Sequence, residues 1–263
     1  MSVTGKVVKF ELSDVVRSRW LIAYALFFLL VTDALLRFGG SGAKAMLSLM
    51  NVVLFIIPLV TVVFGTVYLY NAREFTELLL AQPVSRRQLF AGLYLGLTLP
   101  LSLGFLAGLG VPFAVHGLED PAQRGALVTL AAIGVALTFV FTAIAFLIAV
   151  SAEDRLKGLG AAIALWLLFS VVYDGLVLLA VALFADYPLE RPMLGLMLAN
   201  PIDLARVLLL LQFDVSALMG YTGAVFQRFF GGAGGIAMAA GALATWVAVP
   251  VLLGARAFHR KDF

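Results

Sequence analysis

Six long stretches of the chain are almost continuously apolar, and polar residues gather in the short segments between them. A transmembrane helix needs about 20 apolar residues to cross the hydrocarbon core. These stretches are apolar on all sides, unlike the one-sided helices of a soluble domain. The pattern predicts transmembrane helices over Trp20–Leu36, Met46–Tyr70, Leu89–Val115, Gly125–Val150, Leu159–Ala185 and Ala233–Ala257. We therefore predict an all-α integral membrane fold that forms one transmembrane domain over residues 1–263.

Two further segments carry a weaker apolar pattern. Apolar and charged residues interleave in the leader, which predicts an interfacial helix over residues 1–19 on the membrane surface. In the long segment 186–232, Asn200, Pro201 and Asp203 provide a cap, a first-turn proline and a first-turn acid, as at a helix start. The apolar run Leu204–Phe213 is too short to span, so we expect short re-entrant or interfacial helices on the exoplasmic side.

Composition and charge agree with this architecture. The chain is 63% hydrophobic and 13% charged, which excludes an ordinary soluble domain, and it contains no cysteine for a disulfide or thiolate metal site. The net charge is only +3 and the basic residues lie at the ends of the predicted spans, so nothing indicates nucleic-acid binding. With both termini in the cytoplasm, twelve Lys and Arg residues lie inside and six outside. The positive-inside rule therefore predicts cytoplasmic termini.

The segment 71–90, between the second and third spans, combines a short amphipathic helix, a proline and two arginines. It contains Leu78-Leu79-Leu80, followed by Pro83 and Arg86-Arg87. It is too short and too charged to cross a membrane, so it lies on the membrane surface or docks onto a protein there. The alternative is a solvated loop whose arginines follow the positive-inside rule.

Motifs for enzymatic chemistry are absent from the sequence. The phosphate-binding loop of an ATPase is missing. Gly39–Gly42 matches the G-x-S-G of intramembrane serine proteases, but the only histidines are His116, at the outer end of a span, and His259, in the tail. We therefore expect neither catalytic residues nor a cofactor, and any ATP hydrolysis belongs to a separate subunit.

Asp174 stands out because it lies inside the fifth predicted span. A carboxylate at that depth costs roughly 2.5–3.5 kcal/mol on insertion scales. No Lys or Arg lies at comparable depth in any predicted span, so Asp174 is protonated, faces water, or hydrogen-bonds to Tyr173, Ser170 or Asn51. It either contacts cargo and switches between packings, or it is a structural contact between helices. Asp33 differs, since it lies one turn before Arg37 and is predicted to pair with it.

Methionines in the exoplasmic segment raise the question of a metal. Met193 and Met197 are four residues apart, and thioethers are ligands for Cu(I). Methionine on a short apolar helix more commonly serves packing, so the pair is only a weak candidate for a copper site.

The run Leu78-Leu-Leu-Ala-Gln-Pro-Val-Ser-Arg-Arg-Gln-Leu-Phe-Ala-Gly92 resembles the segment between spans two and three of ABC-2 type permeases. The order of leader, spans and segments matches that family over the whole chain. Phe75-Thr76 stands where the family usually has a glycine-threonine pair. Within the family the chain resembles the NosY branch, permeases of the nitrous-oxide-reductase maturation transporter, in Phe10–Trp20, Leu165–Leu176 and Asn200–Arg206.

The resemblance implies that segment 71–90 is a coupling segment seated on a cytosolic ATPase subunit. The residues expected to contribute are Arg73, Glu74, Glu77, Leu78, Pro83, Arg86 and Arg87. It further implies a homodimer in the bacterial inner membrane, a periplasmic accessory protein, and a part in assembling the copper centres of nitrous oxide reductase. Two alternatives stay open: an ABC-2 exporter of a hydrophobic or other small substrate, and a mechanical relay that moves nothing across the membrane.

Overall fold

The computed structural model describes residues 15, 18–39, 42–80, 84–116, 121–184, 190–212 and 232–260. In these residues it is a bundle of long helices joined by short connections. The helices are α1 (Arg19–Phe38), α2 (Gly42–Asn71), α3 (Arg73–Leu80), α4 (Arg86–His116), α5 (Pro121–Ser151), α6 (Arg155–Leu167), α7 (Tyr173–Leu183), α8 (Glu190–Leu198), α9 (Pro201–Gln212) and α10 (Ala233–Arg260). A π-helical turn over Leu168–Val172, the π segment, joins α6 to α7.

Among the described residues, six helices are long and apolar enough to cross a membrane: α1, α2, α4, α5, the composite of α6, π segment and α7, and α10. The prediction of six spans is therefore confirmed. The fourth and fifth candidates run over Gln123–Ser151 and Arg155–Leu183; they are called span 4 and span 5 below. Several helices begin or end in polar residues outside the predicted apolar stretch, because a helix can continue past the hydrocarbon core.

Span 4 occupies the centre of the bundle. It packs against α2 and α10 most extensively, and also against α4 and α9. Phe141, Phe146 and Leu137 are fully buried there. On the flank of this core, α1 packs along α4, where a Cβ at Gly108 would lie 2.6 Å from the Ala25 carbonyl oxygen. Only glycine permits that approach of two helix backbones.

The two ends of the bundle differ in charge. The charged end consists of residues 70–80, 84–88, 151–157 and 256–260. The start of α1 also lies there, since Ser18 and Trp20 share a cavity with Asn71 and Arg155. At the opposite end, Asp33 pairs with Arg37 at 2.8 Å, which confirms that prediction. Asp33 also contacts His116 Nε2 at 2.8 Å, a partner that the sequence did not indicate.

The predicted helix start at Asn200 is confirmed. The Asn200 Oδ1 accepts a hydrogen bond from the Ile202 backbone N–H at 2.9 Å, as a helix cap does. The chain bends by 108° between α8 and α9, and we call these two helices the bent pair. Ile202, Leu204 and Leu209 of α9 are buried, because α9 lies against α2, α5 and α10.

Some predictions fall on residues outside this description. Of the predicted interfacial helix over residues 1–19, only Val15, Ser18 and Arg19 are described. Pro83 and the stretches 185–189 and 213–231 are likewise not described.

Candidate functional site

The short helix α3 presents a mixed acidic and apolar face. Glu74 and Glu77 are exposed, and Leu78 beside them is 71% exposed. Thr76 is buried, while Leu79 and Leu80 pack against the core of the bundle. Spacings of three and four residues place Glu74, Glu77 and Leu78 on one helix face. A short helix at the charged end thus buries one side and leaves an apolar side chain uncovered beside two carboxylates.

Arg73 contacts the chain's own backbone. Its Nη2 donates to the carbonyl oxygens of Ala152 at 3.4 Å and Glu153 at 3.2 Å. Its guanidinium also lies over the ring of Tyr70, 4.9 Å from the centroid, within the range of a cation–π contact. Arg73 therefore fixes the start of α3 to the turn that joins α5 and α6.

Tyr70 contacts the same turn from the last helical turn of α2. Its hydroxyl lies 3.0 Å from the Ala152 carbonyl oxygen and 3.2 Å from that of Asp154. Asp154 in turn caps α6, since its Oδ1 accepts from the Leu156 N–H at 2.7 Å. A Cβ at Gly158 would lie 2.0 Å from the Tyr70 hydroxyl oxygen, so this position requires glycine. We call Tyr70, Arg73 and the backbone of residues 152–154 the inner clamp.

Arg86 links α4 to the end of α10. Its Nη1 donates to the His259 carbonyl oxygen at 3.0 Å, one of the carbonyls that the last turn of a helix leaves without an intrahelical partner. A cation there also interacts favourably with the helix dipole. Arg87 next to it is exposed. Two of the predicted coupling residues, Arg73 and Arg86, thus make intramolecular contacts, while Glu74, Glu77, Leu78 and Arg87 face outward.

The prediction that no cation lies at the depth of Asp174 is wrong. Asp174 Oδ2 accepts a hydrogen bond at 2.9 Å from Nη1 of Arg206, which also donates to Asp203 Oδ1 at 2.9 Å. Arg206 belongs to α9, and sequence reasoning had assigned it to the exoplasmic segment. Because α9 enters the bundle beside span 5, a cation reaches the depth of Asp174. Both side chains are about one third exposed in the single chain, and charges at this depth in a membrane are tolerated when they are paired in this way.

The side chains proposed as hydrogen-bond partners for Asp174 lie elsewhere. The Tyr173 hydroxyl donates to the Leu196 carbonyl oxygen. The Ser170 hydroxyl has no hydrogen-bond partner among the described residues. Asn51 and Ser170 line a cavity that also touches Arg206. The ion pair with Arg206 therefore replaces the neutral hydrogen bonds that the sequence suggested.

Asn200 joins the bent pair to the π segment. Its Nδ2 donates to the Phe169 carbonyl oxygen at 2.9 Å and to Asp203 Oδ2 at 3.0 Å. Trp246 of α10 donates through Nε1 to the Leu198 carbonyl oxygen at 3.0 Å. Carbonyls at a helix end or a π bulge need such outside donors, because the surrounding bilayer offers none.

The two methionines singled out in the sequence line one cavity with the polar groups. It measures about 280 Å³ and is bounded by Met193, Met197, Tyr173, Asp174 and Arg206, among others. In the part of the chain that the structure describes, no group of three His, Cys, Asp or Glu side chains is arranged to hold a metal. The methionine pair thus remains two thioethers beside an ion pair.

Comparison with known proteins agrees with this arrangement. A family model described as ABC-2 family transporter protein matches residues 6–263. A protein of Pseudomonas aeruginosa named "Probable ABC transporter permease protein NosY" is 30% identical over 237 residues, which cover 84% of this chain and 86% of that protein. A protein of the same name from Stutzerimonas stutzeri is 28% identical over 233 residues, covering 82% and 84%. The chain is a multi-pass membrane protein and belongs to the ABC-2 family of transporter permeases.

Proposed function

We propose that this chain is the membrane subunit through which a separate cytosolic ATPase acts, and that the ATPase docks on the exposed face of α3. The observation that carries the proposal is Leu78, an apolar side chain left 71% exposed beside Glu74 and Glu77 on the outward face of α3. An exposed apolar residue next to charges is typical of a protein docking surface, where the apolar anchor enters a pocket and the charges fix orientation.

The predicted coupling residues then divide into two roles. Glu74, Glu77 and Leu78, with Arg87 beside them, face the partner, and the carboxylates pair with basic groups on the ATPase. Arg73 and Arg86 hold the docking surface in place through the contacts at 3.2 Å to Glu153 and 3.0 Å to His259. Pro83 ends the helix of the coupling segment. This division explains why a segment of so few residues needs five charged side chains besides the leucines.

The proposal includes a homodimer in the bacterial inner membrane with both termini in the cytoplasm. The excess of Lys and Arg at the charged end supports this orientation. Apolar side chains of span 5, including Leu176, Leu179 and Leu183, are exposed on the single chain and would be covered by lipid or a second copy.

For the biological role, we propose assembly of the copper centres of nitrous oxide reductase together with a periplasmic accessory protein. The NosY relatives, matched over more than four fifths of this chain, support that assignment. A second candidate is export of a hydrophobic substrate. An apolar groove of about 920 Å³ between α5 and α10, lined by Ala132, Ala136, Ala244 and Ala248 among others, favours it. A third candidate function is a mechanical relay, which passes movement of the ATPase across the membrane without transporting a substrate. It would use the same docking on α3.

Exchange of Glu77 for Lys tests the docking. We expect Glu77→Lys to lose ATPase binding and ATP-dependent function while the chain stays in the membrane at the parent level, because the added cation repels the basic groups of the partner. Leu156→Lys is the control, since it adds a cation at a 79% exposed position of the same end, outside α3 and the inner clamp. Normal ATPase binding by Glu77→Lys, or an equal loss in both variants, would count against docking on α3.

A further inference from the structure

Span 5 touches the rest of the chain differently in its two halves. The α6 half lies along α2, and Trp166 Nε1 donates to the Phe55 carbonyl oxygen at 3.2 Å. The α7 half has no buried residue. What holds α7 to the bundle is polar: Tyr173 to the Leu196 carbonyl oxygen, and Asp174 to Arg206 at 2.9 Å.

The inner clamp lies at the other end of the same span. Tyr70 and Arg73 hold the turn 152–154, from which span 5 starts at Arg155. Direct hydrogen bonds therefore join the start of α3 to the turn from which span 5 begins. Between the two attachments lies the π segment, a local change of helical pitch of the kind found at functional hinges.

The outer contacts all reach the bent pair. Tyr173 and Asn200 bond to backbone carbonyls, of Leu196 and Phe169, and Arg206 bonds to the Asp174 carboxylate. These hydrogen bonds are few and directional. Apolar packing, in contrast, would let the two elements slide along each other. Two elements joined in this way move together or separate as a unit.

We propose that Tyr173, Asn200 and Arg206 are positioning residues that tie the bent pair to span 5, so that movement of α3 changes the position of the bent pair at the opposite end of the bundle. The inference rests on the proposed docking of an ATPase at α3. It specifies that movement of α3 reaches the opposite end of the bundle through span 5. The buried span 4 stays in place while span 5 and the bent pair move relative to it.

A distance measurement tests this role. The chain has no cysteine, so Lys44→Cys and Gly195→Cys can be labelled with spin labels. Lys44 is exposed at the start of α2, and Gly195 is exposed in α8 with open space around a built Cβ. Labelled chain is diluted with cysteine-free chain, assembled with the ATPase in lipid nanodiscs, and measured without nucleotide and with a non-hydrolysable ATP analogue.

We expect the analogue to change the mean distance by about 2 Å or more, the scale of helix shifts in switching proteins. Tyr173→Phe should reduce that change at least by half, and the triple variant Tyr173→Phe, Asp174→Asn, Arg206→Gln should reduce it further, to what the remaining bond from Asn200 to Phe169 transmits. Tyr94→Phe is the matched control, because it removes a hydroxyl that bonds a backbone carbonyl, that of Phe139, away from span 5. It should leave the change intact.

The outcomes separate the two proposals. An unchanged shift in the triple variant, at parent levels of chain and ATPase in the nanodisc, overturns the positioning role. If the triple variant does not assemble, an unchanged shift in Tyr173→Phe alone does so. A parent chain that binds the ATPase through α3 but shows no shift also refutes the positioning role and leaves the docking intact. Failure of Glu77→Lys to weaken ATPase binding would instead refute the docking.

Discussion

Span 4 and span 5 are almost equally apolar, with mean hydropathy of 2.6 and 2.2, yet they occupy opposite situations in the bundle. In the most apolar stretch of span 4, 72% of the residues are buried inside the protein, whereas in that of span 5 only 11% are. Hydropathy therefore identifies a span without indicating whether it faces protein or bilayer, since lipid tails are as apolar as leucine. Span 4 is held by packing along its length, whereas the outer half of span 5 is held by a few polar bonds.

This difference predicts a large gap in stability between equivalent substitutions in the two spans. Leu137→Ala in span 4, where the side chain is 0% exposed, should destabilise the chain by about 2–5 kcal/mol through the cavity it leaves. Leu179→Ala in span 5, where the side chain is 55% exposed, should stay within about 0.5 kcal/mol. Unfolding of the monomer in mixed micelles with increasing denaturing detergent measures both. Similar losses in the two variants would remove the distinction between the spans.

The inner attachment of span 5 is tested at Gly158. Gly158→Ala would place a methyl group 2.0 Å from the Tyr70 hydroxyl oxygen and so displace Tyr70 from the turn 152–154. We expect most of the ATP-dependent function to be lost while membrane levels fall only slightly. Gly160→Ala is the control, since a Cβ there meets nothing within 4 Å. In-cell activity normalised to membrane level checks this pair, and full activity of Gly158→Ala would argue against the inner clamp.

The outer attachment is tested at Asp174. Asp174→Asn keeps size and a hydrogen bond to Arg206, so we expect partial activity, whereas Asp174→Leu leaves Arg206 with Asp203 alone and should lose most of it. The in-cell activity of each variant at equal membrane level is the measurement. Equal loss in both variants would mean that ionisation of Asp174 itself is needed. Full activity of both would mean that span 5 does not need this contact.

Much of the fold follows from local sequence patterns. The six spans, the helix at Arg73–Leu80 and the helix start at Asn200 all depend on residues within a few positions of one another. Hydropathy, caps and helical spacing are local properties, so they can be read without knowing how helices pack.

The contacts that connect the spans could not be found in this way. Arg206 reaches Asp174 only because α9 turns back into the bundle, and Arg73 reaches residues 152 and 153 only because α2 packs beside α6. The π segment could not be predicted either, because Leu168–Val172 is an ordinary apolar run in the sequence. Its altered pitch accompanies the hydrogen bond from Asn200 to the Phe169 carbonyl oxygen. A signal was nevertheless present for Asp174: a carboxylate inside a span requires a partner, and Arg206 was a basic residue on the short apolar helix that Asn200 starts.

Hydrogen–deuterium exchange of the chain in nanodiscs, with and without its ATPase, tests the central claim that the ATPase docks on α3. We predict slower amide exchange over Arg73–Leu80 when the ATPase is bound, with the buried amides of span 4 unchanged. Exchange over Arg73–Leu80 that is the same with and without a bound ATPase would contradict the claim.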